Sequence, residues 1–182
     1  MKNNIEVELR GLLTKKQYNA IKKRLKNEGV IFEVDDKDTY FFNVSSGVFK
    51  ICDETSKDQG KISLKLGKEE TGAMEELEIC FKRDQVPLFL KFFKALGYTE
   101  YHLVPQKRTN FFLRDATLSL KYTPDFQYHF ELEGKLLSSK LYIEAEKLRL
   151  QALCAHYGLI PMEPNEISKR VKEIRKRIGF DK

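Results

Sequence analysis

Ile5-Glu6-Val7-Glu8-Leu9-Arg10 alternates strictly between apolar and charged side chains. A period of two is the mark of a β-strand, so Ile5, Val7 and Leu9 share one face and Glu6, Glu8 and Arg10 the other. Just beyond it, Thr14 with Gln17 three residues on forms a capping box that opens a helix. Tyr18, Ile21 and Leu25 give this helix its apolar stripe, and Gly29 ends it.

Further strands are predicted over 30–34, 38–43, 47–52, 61–66 and 75–82. A second helix over 86–96 places Leu88, Phe92 and Phe93 inward and stops at Gly97. Strands follow over 102–104, 107–114, 117–122 and 128–133, and two helices, 141–157 and 166–178, complete the chain. The last carries Ile167, Val171, Ile174 and Ile178 on one stripe. Many short antiparallel strands with helices grouped at the edges indicate an α+β fold built on a large sheet or barrel.

The alternation recurs in almost every strand. Ile62, Leu64 and Leu66 oppose Lys61, Ser63 and Lys65; Leu77, Ile79 and Phe81 oppose Glu76 and Glu78. Lys50 and Cys52 oppose Phe49 and Ile51, and Arg108 and Asn110 oppose Phe111. Lys121 opposes Leu118 and Leu120, while His129, Glu131 and Glu133 oppose Phe130 and Leu132. An ordinary antiparallel sheet with one solvated face is one reading. The other is a closed barrel whose apolar face packs outward under helices and whose charged face lines a channel. Paired Glu on three strands facing clustered Lys and Arg on others favours the channel. Carboxylates at alternate positions suit Mg²⁺ or Mn²⁺, and neighbouring cations suit phosphate oxygens.

Composition narrows the field. Of 182 residues, 33 are Lys or Arg and 27 Asp or Glu, so the net charge of +6 hides two large opposing sets. Thirteen Phe and eight Tyr supply a dense core and exclude wholesale disorder. No apolar run approaches the length of a membrane span, and no secretory leader is expected. Three scattered cysteines, Cys52, Cys80 and Cys154, argue against a disulfide framework and for a cytoplasmic location. No Gly-rich phosphate loop or dinucleotide fingerprint is present. The basic stretch from Lys169 to Arg177 reads as the solvated side of a docked helix, so nucleic acid is not an expected partner.

Glu6-Val7-Glu8-Leu9-Arg10 resembles the ExExK motif of the CYTH superfamily, the triphosphate tunnel metalloenzymes. The resemblance continues in family order through Asp38-Thr39-Tyr40-Phe41, Lys50, Lys65, Glu76-x-Glu78, Lys107-Arg108 before Phe111-Phe112, and Glu131-Leu132-Glu133. It implies one domain over 1–182, an eight-stranded antiparallel tunnel with a polar interior and the helices of about 141–178 packed on it. It further implies Mg²⁺ or Mn²⁺ held by Glu6, Glu8, Glu131 and Glu133, with Glu6, Glu8 and Arg10 as the catalytic set. Arg10, Lys50, Lys65, Arg108 and Lys121 would bind phosphate, supported by Glu76 and Glu78. The implied activity is hydrolysis of a triphosphate-containing small molecule: inorganic triphosphate, thiamine triphosphate or a nucleoside triphosphate. The alternatives are cyclisation of ATP and, from a different class, a module that holds polyphosphate or nucleotide without turnover. A homodimer is compatible with the resemblance.

The chain departs from the family pattern at several positions. Arg10 stands for the motif's Lys, keeping its charge but unable to act as a base. Cys52, Met74 and Gln106 stand where basic residues are usual. Thr123-Pro124-Asp125-Phe126 replaces a Gly-rich segment, and Lys121 stands where an Asp is usual, inverting the local charge.

Overall fold

The alternation that begins in β1 (Ile5–Leu12) is continued by eight more strands. They are β2 (Phe32–Val34), β3 (Lys37–Phe42), β4 (Val48–Glu54), β5 (Gln59–Leu66), β6 (Ala73–Lys82), β7 (Tyr101–Phe112), β8 (Thr117–Thr123) and β9 (Gln127–Glu133). The structure, a computed structural model, describes residues 5–45, 47–66, 73–134 and 140–180. All pairings are antiparallel, in the order β2-β7-β3-β4-β5-β6-β1-β9-β8, and β8 pairs back onto β7 to close the sheet. Closure pairs strand edges that would otherwise offer unpaired N–H and C=O groups to another chain.

β2 and β3 behave as one strand with a break. The register Val34↔Thr109 continues unshifted into Lys37↔Gln106 along the same edge of β7. Between them the Asp35 amide still donates to the Arg108 carbonyl at 2.9 Å. The Arg108 amide instead donates to the Asp36 carboxylate at 2.9 Å, a side chain standing in for a backbone acceptor. Counted this way the barrel has eight strands, and the inward parity runs unbroken through Glu33, Asp35, Lys37, Thr39 and Phe41. The expected strands 102–104 and 107–114 are likewise one, β7. The pair Pro105-Gln106 does not interrupt it, because both residues lie opposite β3.

The apolar faces point outward, as the channel reading requires. Helices α1 (Lys15–Asn27) and α3 (Ile143–Tyr157) cover one side. There Tyr18, Ile21, Leu25, Leu150 and Cys154 bury Val7, Phe111, Leu118, Leu120, Phe130 and Leu132. The Thr14–Gln17 capping box closes as expected, and α3 ends at Gly158 with φ 66°, a left-handed conformation that glycine adopts without steric cost. α2 (Val86–Ala95) covers β3 to β5 through Val86, Phe89, Leu90 and Phe93.

Two packing expectations are corrected. Phe93 packs inward as expected, but Leu88 and Phe92 are exposed, because the helix turns Phe89 onto the sheet beside Phe93 in their place. Leu77 and Ile79 are also exposed, because among the described residues α2 reaches β6 at Phe81, through Phe89, and no helix lies over Leu77 and Ile79.

Helix α4 (Pro164–Arg177) lies across one mouth of the barrel, with Val171, Ile174 and Ile178 half-buried over the opening. Arg170 donates to the Asp125 carbonyl at 3.1 Å, Arg175 to Asn43 at 3.2 Å, and Arg177 pairs with the Asp125 carboxylate. Part of the basic stretch is therefore committed to the barrel. Lys169, Lys172 and Lys176 form its solvated side.

Gly11 permits a close crossing. A Cβ there would meet the Ile160 carbonyl at 2.3 Å and the Phe130 ring at 2.4 Å. One of these neighbours is backbone, pinned by the bond of 2.7 Å from the Met162 amide to the Arg10 carbonyl. Gly11→Ala is expected to cost about 1–3 kcal/mol by overpacking, lowering the thermal midpoint by roughly 3–10 °C. Thermal unfolding checks this; an unchanged midpoint would contradict the crossing.

Candidate functional site

The polar faces of the strands enclose a cavity of about 680 Å³, a size suited to a small ligand. Glu6, Glu8, Arg10, Lys50, Lys65, Glu76, Glu78, Arg108, Lys121, Glu131 and Glu133 all line it, so every residue predicted for the site is brought together. The Met74 side chain lies outside the described residues. Ten carboxylates and nine Lys or Arg side chains line the cavity among the described residues.

Their arrangement follows from strand order. The neighbouring strands β6, β1 and β9 present Glu76 and Glu78, Glu6 and Glu8, and Glu131 and Glu133 as a continuous acidic wall. It is flanked by Lys61 and Lys65 on β5 and by Lys121 on β8. Lys50 and Arg108 come from the strands beyond.

Within this frame cations and carboxylates alternate. Lys121 pairs with Glu131, whose other oxygen lies 3.5 Å from Arg10; Arg10 pairs with Glu8. Lys65 lies 3.9 Å from Glu8, donates to Glu6 at 2.8 Å and lies 3.6 Å from Glu76. Glu76 lies 3.7 Å from Lys50 and accepts from Ser63 at 2.5 Å. Nearer the mouth, Lys61 pairs with Glu78 at 2.9 Å. Arg108 is held by Asn110 at 2.5 Å and Ser119 at 2.9 Å, and its guanidinium lies 3.5 Å from Asp35.

Burial sharpens the electrostatics. Burial and a hydrogen bond to Glu76 push the Glu6 carboxyl up to about 9, against the opposing Lys65 ammonium. Burial also acts on Glu76, but the bond from Glu6 and the charges of Lys50 and Lys65 bring it down to about 2. The opposite shifts belong to the pair, two carboxyls in contact that resist ionising together. Burial opposes the charge on Lys65, yet Glu8, Glu6 and Glu76 hold its ammonium above the ordinary lysine range. Burial likewise opposes the charge on Glu131, but Lys121, Arg10 and Arg108 hold it well below the usual carboxylate range. Burial and the Arg108 charge bring Lys121 down to about 7 against the pull of Glu131.

The acidic wall is not uniform toward a divalent ion. Glu6 and Glu76 press two carboxyls together, a place where a second cation would relieve like charges. Glu6 and Glu8 there fit Mg²⁺ or Mn²⁺ held in the manner usual for Mg²⁺, by one or two carboxylates, waters and substrate oxygens. Glu131 has Lys121 at one oxygen and Arg10 3.5 Å from the other, and Glu8 is met in the same way by Arg10 and, at 3.9 Å, by Lys65, whereas among the described residues Glu6 meets Lys65 alone. Among the described residues no three His, Cys, Asp or Glu side chains form a complete protein cage for a metal.

Sequence reasoning missed one part of the cavity. Asp35 pairs with Lys37 at 2.9 Å and Lys57 at 3.4 Å, Glu54 with Lys37 at 3.4 Å, and Glu33 with Lys57 at 3.2 Å. Asn110 donates to Glu33 at 3.0 Å and Asp35 at 3.2 Å. The signal was available, because Glu33, Asp35 and Lys37 keep the period of two across the break between β2 and β3.

The solved structures similar to this chain share its fold. The PH1012 protein of Pyrococcus horikoshii has a TM-score of 0.68 at 19% identity, over 85% of this chain and 91% of that one. A Bacillus halodurans protein provisionally assigned as an adenylate cyclase has a TM-score of 0.62 at 15% identity, over 89% and 94%. A chain of the Schizosaccharomyces pombe Mediator head module has a TM-score of 0.65 at 12% identity, over 87% and 100%. No family model matches the sequence, and no curated protein matches it. No helix among the described residues is long and apolar enough to cross a membrane.

Proposed function

We propose that this chain is a tunnel enzyme of the CYTH type that binds a triphosphate-containing small molecule and hydrolyses it with Mg²⁺ or Mn²⁺. The observation that carries this reading is the acidic wall of β6, β1 and β9 enclosed between cationic strands inside one cavity. Neither set alone suits a neutral ligand. Together they suit a polyanion that arrives with a hard cation, because the cavity's own charges nearly balance and cannot neutralise several phosphate charges unaided.

Binding exchanges partners. Lys65 and Lys50 leave Glu6 and Glu76 for phosphate oxygens, and Arg108, pinned by Asn110 and Ser119, offers a guanidinium already oriented for bidentate contact. Glu6 and Glu8 would hold the divalent ion, which supplies charge neutralisation at phosphorus and a more acidic bound water. A water oxygen bonds to the terminal phosphorus as the bridging P–O bond breaks, giving orthophosphate and a diphosphate-bearing product. Arg10 steadies Glu8 and gives up no proton at any step.

Phosphate release from tripolyphosphate, thiamine triphosphate and ATP, each with EDTA, Mg²⁺ or Mn²⁺, tests the reading. We expect turnover of at least one substrate with metal and none with EDTA. The Lys121–Glu131 pair favours a second reading, a binding module, which would show tight tripolyphosphate binding without turnover of any substrate. Cyclic nucleotide formed from ATP would instead identify a cyclase.

A further inference from the structure

We infer that Lys121 is a built-in cation that takes the place of a divalent ion at the Glu131 end of the acidic wall, so that this tunnel holds a single metal ion, at Glu6 and Glu8. The inference rests on the function proposed above and adds to it the metal content of the site. The Lys121 side chain is 8% exposed, emerges from β8 directly beside β9, and pairs with one Glu131 oxygen while Arg10 faces the other. A divalent ion bound to Glu131 would sit within contact distance of the Lys121 ammonium and the Arg10 guanidinium, both largely buried, where such repulsion is less screened than at the surface.

The ammonium cannot simply swing away. Its strand is paired on both sides, with Arg108 opposite it on β7 and His129 on β9, so retreat would carry it toward the Arg108 guanidinium. Nor does Glu131 need another partner, since its charge is already met twice. At the opposite end the balance differs: among the described residues Lys65 alone serves Glu6, and it is shared with Glu76 and with Glu8, which also pairs with Arg10. Lys121 thus divides the wall into an end that takes phosphate on protein cations alone and an end that takes it through a metal together with Lys65 and Lys50.

Anomalous scattering from Mn²⁺ in crystals soaked with Mn²⁺ and an imido analogue of tripolyphosphate tests this. The wild type is expected to show one Mn²⁺ peak per chain, bonded to Glu6 or Glu8, and Lys121→Asp two, the second bonded to Glu131. In solution the thermal midpoint of Lys121→Asp should rise several degrees more on addition of Mn²⁺ than that of the wild type. Two peaks in the wild type, one of them on Glu131, would overturn the assignment of Lys121 and leave the metal-dependent reading intact. A folded Lys121→Asp that gains no second ion would also overturn it. No peak in either protein, with the analogue bound, would overturn the metal-dependent reading itself. If Lys121→Asp fails to fold, the peak count in the wild type still decides.

Discussion

Glu6→Gln is expected to keep the fold and to lose metal-dependent phosphate release by at least about 100-fold. Removal of a group that merely supports a metal ligand typically costs 10–100-fold, so loss of a ligand itself should cost no less. The fold should survive because the substitution is close to the resting state of the site. Glu6 is 5% exposed and its carboxyl is pushed up to about 9, so near neutral pH a carboxamide replaces a group whose surroundings favour the acid form. Gln can donate to Glu76 and accept from Lys65, as the protonated Glu6 does.

The same substitution has a pH signature. Glu6 is raised from 4.5 to about 9 on folding, so the stability it contributes is complete below its unfolded value and is lost as pH climbs through the folded one. Gln cannot ionise. The midpoint of Glu6→Gln minus that of the wild type should therefore increase steadily from about pH 5 to pH 9. Taking the difference removes the other groups that titrate in this window, Lys121 and His129 among them. Unfolding of the variant, full activity, or a flat difference would each contradict the role assigned to Glu6.

Much of this site was legible because a barrel interior obeys parity. Once Glu6 and Glu8 face inward, pairing rules carry the inward assignment from strand to strand, and Lys65, Arg108 and Glu131 follow without knowledge of any loop. What parity cannot supply is pairing between side chains. It places Lys121 in the cavity but does not show it seated against Glu131, which depends on the register Lys121↔His129. It also stops where a strand appears to stop, which is why Glu33, Asp35 and Lys37 were passed over: Asp35-Asp36 looks like a turn, yet the Asp36 carboxylate keeps the ladder continuous. The outward face was harder still. Leu77 and Ile79 alternate as a covered strand would, and only the placement of the helices shows that nothing described here covers them.

Lys65→Met should show the largest loss of stability among single substitutions in the cavity. Lys65 is 6% exposed and, among the described residues, is the one cation shared by Glu6, Glu8 and Glu76. Met fills similar space without charge, so the effect isolates the ammonium. Breaking a buried ion pair from one side typically costs about 3–5 kcal/mol, because the partner charge is left uncompensated. For a chain of this length that lowers the midpoint by roughly 6–20 °C. The lower half of the range is expected here, since Glu6 and Glu76 can relieve the imbalance by taking up a further proton. That relief fixes the sign of the pH dependence. Without Lys65 the Glu6 and Glu76 carboxyls hold protons more tightly, so the deficit should be small near pH 5 and grow toward pH 8. Tripolyphosphate binding should weaken in parallel by roughly 10–100-fold, the loss of one charge-assisted hydrogen bond. Thermal melts at the two pH values and calorimetric titration with tripolyphosphate in EDTA separate the effects. A variant as stable as the wild type at pH 8 would show that Lys65 does not hold the acidic wall together. Unaltered affinity would show that phosphate does not reach β5.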